Sequence, residues 1–453
     1  MIGEDISPTT RISREELREL QWRRLQPQIA YNYAKSPFYR ERFDAIGLQP
    51  ADIRAWDDFQ RVPTMDKHDH RQAQEESIRR FGHPFGMLCC VPTESFTMLS
   101  ATSGTSGTPT FYTLTEPDLK IYSELMARKL RLIGLRPGDR VLHGFALSMM
   151  VGGQAVLQLL KNYGACIVPV GAEVGSRRLL EFARLVRPRM LICTPSYAEY
   201  VAEKCQETLG IPATDLGLEL IVCGGEPGAS LPDVRHAIES AYGAKLHDYT
   251  GAVHTFHGIT CGVPGGMMHY VSEDHCVLEL QDPETKAPIE LRDGAVGEMV
   301  YTELGIEATP LMRYSLGDII QISAQPCSCG WRGLSFAILG RSDDMLIVKG
   351  VNVYPAAIRN VVASFAPRTT GQIRVVLDKP GHKVTPPLHL VVEHGADLQG
   401  SALATLDAEL QTVLHDQLKI RPAIALVPPG TLQRSSHKTK LVEVRAPSEA
   451  GGP

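Results

Sequence analysis

The chain lacks an excess of positive charge: 46 Lys and Arg stand against 51 Asp and Glu, a net charge of −5. Nothing in that balance would hold a nucleic-acid backbone or an anionic membrane surface. It also lacks an apolar stretch fit to span a bilayer. The only long uncharged run, Val141 to Leu160, is broken by His143, Ser148, Gln154, Gln158 and three glycines, so it reads as a buried strand, turn and helix. The opening MIGEDISPTT is acidic and polar where a signal peptide needs a basic and then an apolar segment. Ten cysteines in 453 residues are too dilute for a disulfide scaffold. A reducing cytoplasm is therefore expected, with each cysteine a thiol or a metal ligand. What is present is ordinary for a globular protein, with 43% hydrophobic and 21% charged residues. At roughly 150 residues per domain the length corresponds to about three domain equivalents.

The chain's organisation follows its periodicities. Arg14 to Ala34 has helical apolar spacing behind a candidate cap at Ser13. From about residue 100 to 320, apolar runs such as Arg140–His143, Ala165–Val170, Met190–Thr194 and Leu218–Cys223 alternate with helix-length segments. That alternation predicts βαβ units and a mostly parallel sheet covered by helices. After about Tyr270 short alternating strands with turns at Asp282-Pro283 and Asp293-Gly294 predict an antiparallel subdomain. The last hundred or so residues read as a small α+β unit whose tail after Pro428 is a loop.

The strongest local signal is Ser100-Ala-Thr-Ser-Gly-Thr-Ser-Gly-Thr-Pro-Thr110, rich in hydroxyls and freed at Gly104 and Gly107. Phosphate oxygens need many donors, and glycines let successive N–H groups converge on them. The GxxxxGK[ST] spacing of a Walker loop is missing. Thr102 to Pro109 resembles the phosphate-binding motif of the acyl-adenylate-forming superfamily, and the wider chain is most similar to its phenylacetate–CoA ligase branch. Four more segments resemble that branch in order: Cys223-Gly-Gly-Glu-Pro-Gly228, Leu311-Met-Arg-Tyr-Ser-Leu-Gly-Asp318, the hinge sequence Gly340 to Pro355, and the tail Gly430 to Lys438.

The resemblance implies an α/β fold. It would have a large N-terminal adenylation domain over 1–340, with the antiparallel subdomain at about 255–340, and a mobile α+β cap over 341–453 hinged at Asp343. It implies an AMP-forming acyl–CoA ligase that uses ATP, Mg²⁺ and coenzyme A. Thr102, Ser103, Gly104, Thr105, Ser106 and Gly107 would hold the β- and γ-phosphates. Gly225, Glu226 and Pro227, with Asp248, Tyr249 and Thr250, would face the adenine side. Asp318 would accept the ribose hydroxyls, and Arg341 would contact the nucleotide. Arg313 would orient Asp318 or the phosphates, or else sit in a structural ion pair. Lys438, with Lys440 as its rival, would stabilise charge at the α-phosphate, and Gly350 would face the site during thioester formation.

The segment Asp248-Tyr-Thr-Gly-Ala-Val-His254 departs from the family's D-x-Y-G-x-(S/T)-E: the magnesium-associated Glu is His254. Imidazole is a poor magnesium ligand. Either phosphates and water hold the metal, or adenylation is crippled; His254 could also bond a polar group on the acyl substrate. Phe145, Met149, Gly224, Ala252 and His254 are the candidate acyl-pocket residues. Phe and Met favour an aryl or arylacetic acid, while His254 keeps hydroxylated acids open, including a short branched 2-hydroxy acid. Cys327 and Cys329, with Cys261 and His269 upstream, form a Cys₃His set suited to structural zinc, as branch members often carry; His257, His275 and Cys276 are alternative ligands. The expected partners are a small carboxylic acid, ATP and CoA, with no nucleic acid or membrane; a homodimer is compatible with the reading. Transfer to a carrier protein or amine, and a non-catalytic nucleotide binder, are the competing functions.

Overall fold

The computed structural model describes residues 6–102, 109–149, 151–226, 228–263, 265–342, 344–348, 351–379, 381, 383–384, 386–432 and 441–445. The expected first helix runs Arg14–Lys35. The Ser13 hydroxyl accepts the Glu16 N–H (3.1 Å), and the Glu16 carboxylate takes the Ser13 N–H (2.7 Å), which satisfies two donors at the helix start. Its buried face, with Leu25 and Ile29, joins Phe38, Phe43 and Phe59 in a core laid against the antiparallel strands.

The βαβ alternation builds the parallel strands Cys166–Pro169, Arg140–His143, Met190–Cys193, Leu220–Gly224 and Lys245–Thr250, neighbours in that order. Helices Ser176–Val186, Pro195–Leu209 and Pro232–Tyr242 bury one face. Helices Glu116–Leu132 and Val156–Tyr163 bury the other, which is why these strands read as unbroken apolar runs. The antiparallel strands are not a detached unit. Lys245–Thr250 also pairs antiparallel with Gly258–Thr260, and one sheet of twelve strands continues through Met268–Tyr270, Ser335–Arg341, Tyr314–Ser323, Val296–Glu303, Cys276–Gln281 and Pro288–Ile289. The turn between residues 250 and 258 is too short for a crossover, so the chain can only return antiparallel. A separate hairpin, Met98–Thr102 with Thr110–Leu114, flanks the expected phosphate loop.

The C-terminal part has its own core. Ile358 and Val362 of helix Pro355–Ala363 and Leu410 of helix Ser401–Leu418 meet Val375 and Leu390 of a four-stranded sheet. The tail departs from the expected loop: Val442–Val444 pairs parallel with Thr369–Leu377. Three residues are too few to carry a readable alternation. No helix among the described residues is long and apolar enough to cross a membrane.

Candidate active site

The carboxyl ends of Leu220–Gly224 and Lys245–Thr250 open into a cavity of about 450 Å³. Gly225, Glu226, Asp248, Tyr249 and Thr250 line one side, Asp318 and Arg341 another, and Tyr354 with Asn360 of the cap close it. Ligands of open α/β sheets bind at this end of the strands. Asp318 and Arg341 are register partners on adjacent strands, with Nη1 3.4 Å from Oδ1. Asp248 is buried and accepts a hydrogen bond from the Ser230 hydroxyl. Burial lifts its carboxyl to about 6, with Ser230 opposing. A Cβ at Gly224 would stand 2.5 Å from the Tyr249 carbonyl oxygen and 2.8 Å from its ring, so only glycine lets Tyr249 lie against the strand end. The Glu226 carboxylate accepts the Ser196 N–H (2.8 Å) in the first turn of Pro195–Leu209, which anchors the loop to that helix.

Several expected residues lie outside the described ones: Ser103, Gly104, Thr105, Ser106, Gly107, Pro227, Asp343, Gly350, Lys438 and Lys440. The base of the phosphate loop is described. Thr102 and Thr110 are register partners there, and both side-chain oxygens are buried with no hydrogen-bond partner among the described residues. Buried hydroxyls seldom stay unpaired, so this pair is suited to a polar ligand.

Two expectations are corrected. Arg313 does not reach the cavity. It is 7% exposed, its Nε donates to Glu279 (3.2 Å), and its Nη1 donates to the carbonyls of Gln60 (2.6 Å) and Val62. Its φ of +48° turns the side chain toward the N-terminal segment, which leaves the structural ion pair as its role. The other is His254 as a hydrogen-bonding group for the acyl substrate, since both of its ring nitrogens face protein partners. Its Nε2 donates to the Thr113 carbonyl (2.9 Å), and its Nδ1 lies 3.3 Å from the Glu303 carboxylate. Burial disfavours its charge, but the Glu303 carboxylate outweighs that and raises its pKa above the ordinary value. The Tyr122 hydroxyl also donates to Glu303, so a buried His–Glu–Tyr group ties three distant segments together.

The acyl-pocket candidates divide. Phe145 stands beside Gly225 and Gly152: added Cβ atoms there would come 3.9 Å and 3.7 Å from its ring. Ala252 is buried in the core around Tyr122. Met149 is 43% exposed, and its carbonyl accepts the Ala101 N–H (2.9 Å), joining this segment to the phosphate hairpin. Sequence reading missed Tyr354 and Glu303. Tyr354 packs over Gly340, where a Cβ would come within 2.8 Å of the ring.

The four metal candidates converge. One donor atom each from Cys261, His269, Cys327 and Cys329 lies within 4.8 Å of all the others. The Cys261 and Cys327 sulfurs are 3.8 Å apart, far beyond a disulfide bond. Tetrahedral zinc with bonds of about 2.3 Å has sulfur–sulfur edges of about 3.8 Å, so the set fits that ion. His269 Nδ1 is fixed 2.9 Å from the Ser335 hydroxyl, and its ring stacks on buried Trp331, 5.1 Å between centroids and 12° from parallel.

The family described as AMP-binding enzyme C-terminal domain matches residues 350–444. The phenylacetate–coenzyme A ligase of Thermus thermophilus is 32% identical over 443 residues, covering 94% of this chain and 95% of that protein. This chain belongs to the phenylacetate–CoA ligase family. As a member of that family it is an AMP-forming acyl–CoA ligase that works with ATP and CoA, which sets aside the non-catalytic reading. Among solved structures, 2-hydroxyisobutyryl-CoA ligase in the postadenylation state, in complex with R3-HIB-AMP, superposes with a TM-score of 0.85 at 28% identity, covering 96% of this chain and 91% of that one. The same ligase with 2-HIB-AMP and CoA in the thioesterification state gives 0.67 over the same shares, at 28% identity.

Proposed function

We propose that this ligase activates an aryl or arylacetic acid. A carboxylate oxygen attacks the α-phosphorus of ATP, the bond to the β-phosphate breaks, and pyrophosphate leaves. The thiol sulfur of CoA then attacks the acyl carbon and AMP leaves. The observation that carries the nucleotide reading is the cavity bounded by Asp318, Arg341, Asp248 and Tyr249. Asp318 accepts the ribose hydroxyls, Arg341 steadies it, and Tyr249 stacks on the base. Thr102 and the loop that follows hold the phosphates, and Lys438 reaches the α-phosphate from the cap. Both nitrogens of His254 already face protein partners, so magnesium would be held by the phosphate oxygens of ATP and by water. When bound, it neutralises charge on the phosphates.

The substrate class rests on Phe145 beside Gly225 and on the removal of His254 as a pocket donor. A hydroxylated acid then loses its expected partner. A panel of carboxylates scored for CoA thioester by mass tests this; an aryl or arylacetic acid should lead. A short branched 2-hydroxy acid in front overturns the aryl reading, an outcome kept alive by the similarity to 2-hydroxyisobutyryl-CoA ligase. AMP release that requires free CoA excludes a carrier-protein acceptor.

The cap, 341–453, rotates about Asp343 between the half-reactions. The separate C-terminal core supports this, as does the fall in similarity between two states of one ligase. Zinc held by Cys261, His269, Cys327 and Cys329 pins the loop 261–269 to the strand hairpin beyond it. Metal analysis should find one zinc per chain, lost in Cys329→Ser. A cytoplasmic enzyme, with a homodimer open to a sizing experiment, completes the reading.

A further inference from the structure

We infer that Lys129 is a positioning residue for the nucleotide: its side chain clasps the turn that begins at Tyr249 and Thr250, two residues lining the cavity. The inference rests on the nucleotide-site reading above. Lys129 sits within helix Glu116–Leu132 and is 0% exposed. An ammonium has three donors. Here they meet the Thr250 carbonyl (3.2 Å), the Gly251 carbonyl and Nδ1 of His257 (3.1 Å). The nitrogen also stands 4.1 Å from the centre of the Tyr249 ring, a cation–π arrangement. Thr250 and Gly251 enter the turn and His257 leaves it, so one charge holds both of its ends.

The turn needs such closure. Gly251 has φ +83°, and a Cβ there would fall 2.0 Å from the Phe256 carbonyl oxygen, while His254 has φ +47°. Tyr249 and Thr250, which Lys129 holds, line the cavity. For His257 to accept at Nδ1 its proton must sit on Nε2. That atom has no partner among the described residues, and the ring is steadied against Tyr122, 5.7 Å between centroids. Burial pushes both His257 and Lys129 well below their ordinary pKa values. An unpaired buried cation is costly, and a methionine would fill the same space without that cost. What the charge provides that methionine cannot is a fixed direction for two carbonyls and one aromatic face.

Calorimetric titration of the full-length protein with ATP tests the clasp, because affinity reports the loop and stoichiometry reports the folded fraction. In Lys129→Met the dissociation constant for ATP should rise roughly tenfold with stoichiometry unchanged. Lys129→Arg should recover part of the loss. An unchanged dissociation constant, whatever happens to stoichiometry or melting temperature, makes Lys129 merely structural and overturns the inference. Wild-type protein that binds no ATP overturns the nucleotide-site reading instead. Should neither Lys129 variant fold, His257→Gln carries the test. It displaces one acceptor of the ammonium, so ATP should bind more weakly, and unchanged binding overturns the clasp.

Discussion

The body side and the cap side of the nucleotide cavity are held in place by different means. On the body side each segment has a buried polar tie: Asp248 to Ser230, Glu226 to Ser196, Lys129 to Thr250 and Gly251, His254 to Thr113 and Glu303. On the cap side the ring of Tyr354 rests over Gly340, and Arg359 reaches Glu199 at 3.9 Å. Buried ties resist displacement because breaking one leaves an unsatisfied group out of water. A ring on a glycine separates without leaving a polar group unpaired, and the ion pair of Arg359 with Glu199 is long, though mostly buried at 5% and 20% exposure. The proposed rotation between half-reactions would move the second wall and leave the first in place.

The largest effect is expected in the body behind the first wall, at a buried cation that does not reach the cavity. Arg313→Met leaves Glu279 buried without its partner and should cost about 3 kcal/mol or more in urea unfolding. A loss confined to ATP affinity, with stability intact, would return Arg313 to the cavity. His254→Glu comes next. It restores the family's residue but sets two carboxylates against each other, so stability should fall by about 2 kcal/mol and adenylation with it. Adding Glu303→Gln should recover part of both, and a fully active single variant would refute the buried pair. A smaller effect is one of pH. The pKa of His254 is raised in the fold, so its contribution is complete below its unfolded pKa, about 6.5, and is lost as pH rises through the higher folded value. The urea midpoint should therefore decline through that window in wild type and lose that component in His254→Gln. The smallest change is expected on the movable side. Glu199→Gln leaves Arg359 buried beside a neutral amide, so stability should fall by about 1 kcal/mol while the balance between pyrophosphate exchange and thioester release changes. A large stability loss there would erase the contrast between the walls.

The sequence disclosed this site where chemistry depends on neighbours along the chain. Asp318 and Arg341 lie within segments that resemble the family's motifs, and the Cys₃His set was legible because its residues fall where members of that branch carry zinc ligands. The partners of His254 and Arg313 were hidden because they are 49 and 34 positions away and reached only through sheet register. Lys129 was missed for another reason: a lysine within a helix is ordinarily read as solvated. A signal was present, since helical spacing puts it on the stripe of Tyr122, Leu125 and Leu132, all of which are buried. The fold's parallel half followed from alternating strands and helices. The continuity of the twelve-stranded sheet did not, because no pattern within a strand names its neighbour.

The stack of Trp331 on His269 makes the proposed zinc site optically addressable. The protein has three tryptophans, and the other two, Trp22 and Trp56, lie together with ring centroids 5.0 Å apart in the N-terminal helical region. Substituting that pair with phenylalanine would leave a single indole emitter in van der Waals reach of the imidazole. Its emission would then follow loading and stripping of the cluster in real time, in the same cuvette as turnover.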